Sequence, residues 1–268
     1  MPRGPIETKS GDIPQLPSLS LRVEGEIGYL GLNRPDTLNA FDMAMIEDIT
    51  AAAEWFDARR EVKVVVVHST GRAFSSGFHL DQFRNADAEA VARNIDTGRR
   101  MIDTLERMRP LTVCAANGHC IGGGLILLLS GDFRYASHDL SCLLPETHLG
   151  IPLPWGGVPR LVREVGSARA AEIVLLGKRS AAAALKDFGI LNDVVDPQAL
   201  LEHADGVARQ LCQLSRFVLE TTKAQLRAAK EHMASTDLSV PEENAVRIGM
   251  SDPESILVRK QRLGRPSH

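Results

Sequence analysis

The run VKVVVVHS, residues 62–69, has no polar face. Four consecutive valines cannot alternate between a core and water, so a strand built from them must be covered on both sides. LTVCAAN at 111–117 has the same character. Beside these runs lie segments with apolar residues at helical spacing, MAMIEDITAAAEWFDA at 43–58 and residues 87–108. Buried strands that alternate with helices call for an α/β architecture with parallel pairing. LSLRVEG and IGYLGLN alternate around a glycine-containing turn and predict a hairpin over 19–33. DFRYAS at 132–137 and FGILNDVV at 188–195 read as further strands, and no internal repeat is visible.

From about residue 197 the pattern changes. QALLEHADGVARQLCQL, SRFVLETTKAQLRAAKEHM, PEENAVRIGM and PESILVRKQRL are all helical, with Pro or Ser at their boundaries. Three regions are predicted: a flexible Pro- and Gly-rich arm over 1–18, an α/β core over 19–196, and a helical domain over 197–268 that forms a separate layer or an oligomer contact.

Composition narrows the function. A net charge of −3 and a pI near 6.3 offer no basic field for nucleic acid or an anionic membrane. No segment approaches the length of apolar sequence that a spanning helix needs. Cys114, Cys120, Cys142 and Cys212 lack CxxC spacing and read as buried free thiols of a reducing compartment, so a cytoplasmic location is expected. No HxH or HExxH spacing exists, so no metal site is expected. Ser75 and Ser76 lie outside any GxSxG and are not read as nucleophiles.

Gly122, Gly123 and Gly124 stand between the strand at 111–117 and the apolar run LILLL. Glycine inside a helix costs about 1 kcal/mol per position relative to alanine, so bare backbone must serve some purpose there. A strand–glycine–helix junction points unpaired N–H groups outward, toward a phosphate or a developing oxyanion. Neither GxGxxG nor GxxxxGK[ST] is present to favour phosphate, and close packing of strand against helix is the other use. GRAFSSGFHLDQF at 71–83 repeats the logic after the valine strand. Two strand ends with exposed N–H groups could converge on one oxygen.

LNRPDTLNAF (32–41), RAFSSGFHL (72–80), NGHCIGGGLILLLSGDFRYAS (117–137), PETHLGIPLPWGGVPRLVREVG (145–166) and LLGKRSAAAALKDFGILNDVV (175–195) together resemble the crotonase (enoyl-CoA hydratase/isomerase) superfamily. The resemblance implies a spiral ββα core, a C-terminal helical domain and a homotrimer or dimer of trimers. It implies an acyl-CoA thioester substrate and no cofactor. It places an oxyanion hole on the backbone N–H groups of Phe78 and Gly123. Substrate contacts carry over to Arg34, Leu38 and Ala40, to Ala73, Ser75 and Ser76, and to Gly122, Ile126 and the basic Lys260, where Leu257 replaces the usual aromatic and a solvated helix face is the other reading; Trp155 could line the acyl pocket or pack in the core.

Hydratases of this family use two glutamates. Carried over, the first position is Ile126 and the second is Glu146. One carboxylate beside an aliphatic group serves water addition poorly. It suffices to take a C2 proton and return it at C4, the work of a Δ3,Δ2-enoyl-CoA isomerase, the branch this pattern most resembles. Glu146, flanked by Leu143, Leu144, Leu149 and Ile151 with Ile126 opposite, is expected to have a raised pKa. Other branches place an aspartate where Pro154 stands, which weakens dienoyl-CoA isomerisation, thioester hydrolysis and dehalogenation. The histidines keep alternatives open. His79 could pair with Glu146 in hydration, hydrolysis or decarboxylation, while His119 and His148 read as structural. A further alternative is an acyl-CoA-binding protein without catalysis.

Overall fold

The structure is a computed structural model and describes residues 13–78, 88–238 and 242–263. In chain order the elements are β1 (Leu19–Glu24), β2 (Ile27–Leu32), α1 (Met43–Ala58), β3 (Val64–Ser69), β4 (Ala73–Ser75), α2 (Ala88–Arg107), β5 (Leu111–Ala116), β6 (His119–Ile121), α3 (Gly123–Leu129), β7 (Phe133–Ser137), β8 (Ser141–Leu143), α4 (Gly157–Leu176), β9 (Ser180–Ala181), α5 (Ala182–Asp187), β10 (Asp193–Val195), α6 (Leu200–Cys212), α7 (Arg216–Met233), α8 (Glu242–Ser251) and α9 (Pro253–Leu263).

The larger sheet has the order β1-β2-β3-β5-β7-β10. Its β1–β2 hairpin is antiparallel, and every later pairing is parallel, with β2 and β3 in register from Ile27↔Val64 to Leu32↔Ser69. The valine run behaves as its composition demands. Val65 and Val67 enter the main core with Phe41, Phe56 and Phe74, while Val64 and Val66 enter a second core on the opposite face. That second core is closed by Leu200, Ala204 and Ala208 of α6 and Leu219 of α7. Both faces of the strand are dry because the first of the C-terminal helices cover the outer one.

A smaller sheet, β4-β6-β8-β9, stands beside the first. Each of its first three strands follows a large-sheet strand after a few residues: β4 follows β3, β6 follows β5 and β8 follows β7. The chain therefore steps three times from one sheet to the other. This repeat is structural only, because the sequence of each step differs. The small strands fall in stretches that read as turns, since three residues are too few for an alternation to register.

Two further elements differ from the sequence reading. FGILNDVV is a strand only over Asp193–Val195, paired with Tyr135–Ser137, because the Phe188 N–H closes on the Ala184 carbonyl at 2.9 Å and prolongs α5. α4 was not foreseen as a helix. Pro159 and Gly166 interrupt its apolar spacing, and the Gly166 backbone (φ 73°, ψ 165°) joins two helical pieces at a kink.

Of the predicted arm, residues 1–12 lie outside the described residues, and Ser18 is already docked, its N–H donating to Asp48 at 2.9 Å. The four C-terminal helices are present. Cys114, Cys120 and Cys142 are buried free thiols; Cys212 is half-buried, at the end of α6. No helix among the described residues is long and apolar enough to cross a membrane.

Lys223 fastens α7 to the sheet. Its buried ammonium donates to the Pro110 carbonyl at 2.7 Å and meets Asp132 at 2.9 Å, a carboxylate that also accepts from the Thr112 amide. Lys223→Met should lower unfolding stability by about 2–3 kcal/mol, with the Asp132→Asn double variant recovering part of the loss. Urea unfolding, with the slope unchanged and the midpoint moved, checks this.

Candidate active site

β6 ends at Ile121, and Gly122 then turns the chain at φ 52°, ψ −120°, with its N–H donating to the Leu143 carbonyl at 2.8 Å. An L side chain rarely adopts that backbone. A Cβ there would also stand 2.7 Å from Glu146 Oε1. Gly123 opens α3, so its N–H precedes any intrahelical acceptor. A Cβ on Gly123 would overlap the Trp155 ring and come within 3.2 Å of Phe41 Cδ2. Gly124 lies against Ser75, whose Cβ would be 3.0 Å away. The three glycines therefore answer to three neighbours: a carboxylate, an aromatic pair and strand β4.

The other expected donor comes from the end of β4. Gly77 has φ 83°, and a Cβ on it would sit 2.6 Å from the Ile121 carbonyl oxygen and 3.7 Å from Gly122 Cα. The two glycine turns are thus in van der Waals contact. Phe78 pairs with Phe41 as a parallel bridge, and the Phe41 N–H donates to the Gly77 carbonyl at 2.8 Å. The segments expected to supply both amides, Phe78 and Gly123, lie side by side.

The loop after β2 braces them. Asn39 is wholly buried at φ 53°; its side-chain amide donates to the carbonyls of Thr70 (3.0 Å) and Ala73 (2.8 Å), and its Oδ1 accepts from the Arg34 N–H (2.8 Å). The Ser75 hydroxyl donates to the Asn39 carbonyl at 2.8 Å and accepts from the Gly77 N–H at 3.1 Å. The Ser76 N–H donates to the Leu38 carbonyl at 2.9 Å, and its hydroxyl reaches Thr37. Arg34 pairs with Asp42, the N-cap of α1. Arg34, Leu38, Ala40, Ala73, Ser75 and Ser76 thus form one stitched unit. Within it Ser75 supports the Gly77 turn, and Ala40 and Ala73 are buried.

Glu146 begins a single 3-10 turn, Glu146–Leu149, directly after Pro145, which follows the buried Leu144. Burial raises its carboxyl to about 7, against which only its own backbone N–H pulls down. Oε2 has no hydrogen-bond partner among the described residues. No other charged group among those residues perturbs it. Ile126 is buried on α3, its Cδ1 packed on the face of Gly157 beside Leu153. His148 packs its imidazole on Gly177, and His119 is exposed on β6. His79 lies outside the described residues.

α9 seats on the turn that carries the carboxylate. Arg259 is buried and donates to the carbonyls of Leu149 (2.9 Å) and Gly249 (2.8 Å), while Lys260 beside it is exposed. Sequence reading passed over Asn39, Phe41 and Gly77. An Asn two residues before a Phe in a Pro–Asp turn was the available signal, but two of its three hydrogen bonds depend on β4 and on Thr70.

Main-chain amides beside one desolvated carboxylate make a site that can hold negative charge on a carbonyl oxygen and move a proton next to it. Residues 22–252 match the family described as enoyl-CoA hydratase/isomerase. The chain is 32% identical over 209 residues to a mevalonyl-coenzyme A hydratase of Aspergillus fumigatus, covering 78% of this chain and 77% of that protein. It is 28% identical over 221 residues to a peroxisomal Delta(3,5)-Delta(2,4)-dienoyl-CoA isomerase of Arabidopsis thaliana, covering 78% and 80%. Among solved structures it resembles an enoyl-CoA hydratase/isomerase of Xanthobacter autotrophicus Py2, with a TM-score of 0.83, 28% identity, and 93% and 94% of the two chains covered.

The raised carboxyl has a consequence for stability. Between the usual 4.5 and about 7, native Glu146 keeps a proton that the unfolded chain releases. Its burial therefore destabilises the fold increasingly across that window and by a constant amount above it. Glu146→Gln should be more stable than wild type above pH 7, by on the order of a few kcal/mol, with the gap closing toward pH 4.5. Melting curves of both proteins from pH 4.5 to 8.5 measure it.

Proposed function

Because the chain belongs to the enoyl-CoA hydratase/isomerase family, we propose that it binds an acyl-CoA thioester, stabilises its enolate and shifts a carbon–carbon double bond with Glu146 as the single base. The thioester oxygen is held by the N–H groups of Phe78 and Gly123. Glu146 removes a C2 proton from a 3-enoyl thioester. The electron pair passes into the C2–C1 bond and onto the oxygen. When it returns, the double bond lies between C2 and C3, and Glu146 delivers the proton to C4.

The observation that carries this reading is the solitude of Glu146. Its carboxyl is shifted by burial, no second ionisable group among the described residues acts on it, and Ile126 stands at the position where the hydratases have their other glutamate. A pKa of about 7 suits a group that must both take and return a proton near neutrality. Burial of the carboxylate also limits the water that could intercept the enolate.

Hydration is the second reading, and the hydratase names among the relatives favour it. It needs another group to hold the attacking water, for which His79, next to Phe78, is the candidate. In either case Lys260 would serve as a point charge for the coenzyme A phosphates. Phe217 (76% exposed) and Met233 on α7 and Ile248 on α8 present apolar surface that supports a homotrimer or a dimer of trimers.

Supplying a 3-enoyl-CoA and a 2-enoyl-CoA separately, and following the thioester products, separates the readings. Isomerisation should fall by roughly 10²–10⁴-fold in Glu146→Gln and survive in His79→Ala. Wild-type kcat/KM should rise with pH and level off above about 7. Water addition that requires His79 would favour the hydratase, and failure of any acyl-CoA to turn over would sink both.

A further inference from the structure

We propose that Trp155 is a positioning residue that sets the spacing of the two amide donors, clamped in place by Glu242 of α8 and Arg160 of α4. The inference rests on the function proposed above, in which those amides hold the thioester oxygen.

Trp155 has φ 63°, one of three non-glycine residues with positive φ among the described residues, and the bulkiest of them. A large side chain in that region needs surroundings that compel it. Two contacts do so. The buried guanidinium of Arg160 donates to the Trp155 carbonyl at 2.7 Å, and is itself fixed by Asp103 (2.6 Å) and Glu106 (2.7 Å) of α2. The Glu242 carboxylate accepts from the Gly156 N–H at 2.8 Å, the other end of that same peptide. Its other oxygen is buried without a partner among the described residues. The backbone N–H of Trp155 also acts on this carboxylate, and burial raises its pKa against these main-chain amides.

The indole held in this way touches both halves of the site. It lies on Gly123 so closely that no Cβ could intervene, and its other edge rests on Gly98 of α2, equally bare. Its ring centroid is 5.7 Å from that of Phe41, tilted by 57°. Phe41 in turn holds the Gly77 carbonyl and pairs with Phe78. Moving the indole would move Gly123 directly and Phe78 through Phe41. Glu242 lies in α8, so the C-terminal helices act on the amides by this route, although they carry no reacting group.

The test uses the full chain in a Trp55→Phe background, which leaves Trp155 as the only tryptophan. Glu242→Ala should red-shift the Trp155 emission and increase its quenching by acrylamide. Glu242→Gln, which keeps an amide oxygen for the Gly156 N–H, should restore most of both. With a 3-enoyl-CoA, Glu242→Ala and Trp155→Leu should lower kcat by about tenfold to a hundredfold with KM nearly unchanged, at a temperature where both are folded. Glu242→Gln should recover most of the rate. Unchanged emission in Glu242→Ala would overturn the clamp. Altered emission with wild-type kcat, or a loss of rate that only tracks thermal stability, would overturn the positioning role. If the wild type turns over no acyl-CoA, the proposed function fails and the catalytic half of this inference fails with it, while the emission still judges the clamp.

Discussion

Two main-chain amides can share one oxygen only where the backbone around both is bare. The contact of the Gly77 turn with Ile121 and Gly122 meets that condition. A methyl group on Gly77 would press on the Ile121 carbonyl, and one on Gly122 would press on Glu146. The rest of the site is arranged around this approach. Asn39 and Ser75 hold the Gly77 turn from below, Phe41 and Trp155 hold Gly123 from the side, and β8 delivers Glu146 to the edge of Gly122.

Electrostatically the site pairs unlike elements. Backbone N–H groups carry no titratable proton, so their pull on a carbonyl oxygen is the same at any working pH. Glu146 does titrate, and the burial that raises its carboxyl leaves Oε2 without a partner among the described residues. A buried carboxyl oxygen with no partner among the described residues is a burden on the fold. Opposed charges do the fastening elsewhere: Arg160 and Arg163 share Glu106, and Lys223 meets Asp132.

The large sheet was legible because its strands carry their own instructions. The β-branched run at Val64–Val67 and the alternation in β1 predict strands with no help from the rest of the chain. Helix α1 falls where its periodicity predicts, over Met43–Ala58. The small sheet was not legible. Strands of two or three residues hold their shape only because a neighbour supplies the hydrogen bonds, as β6 does for β4 and β8. The threefold stepping between sheets was hidden for the same reason. Glu146 and the glycine run stood out by pattern, whereas Asn39, Arg160 and Glu242 did not, since each depends on at least one partner more than 30 positions away in the sequence.

By itself the sequence determined the α/β class, the C-terminal helices, and the glycines that leave backbone exposed. Those are local or compositional matters, fixed by side-chain shape and by the absence of a Cβ. Tertiary structure alone decided that the Gly77 and Gly122 turns touch, that a Cβ on Gly122 would meet the Glu146 carboxylate, and that Trp155 is forced into a left-handed backbone against Gly123. Burial and contact between segments belong to no single stretch of chain, because each group's environment is made by residues that the fold brings from elsewhere.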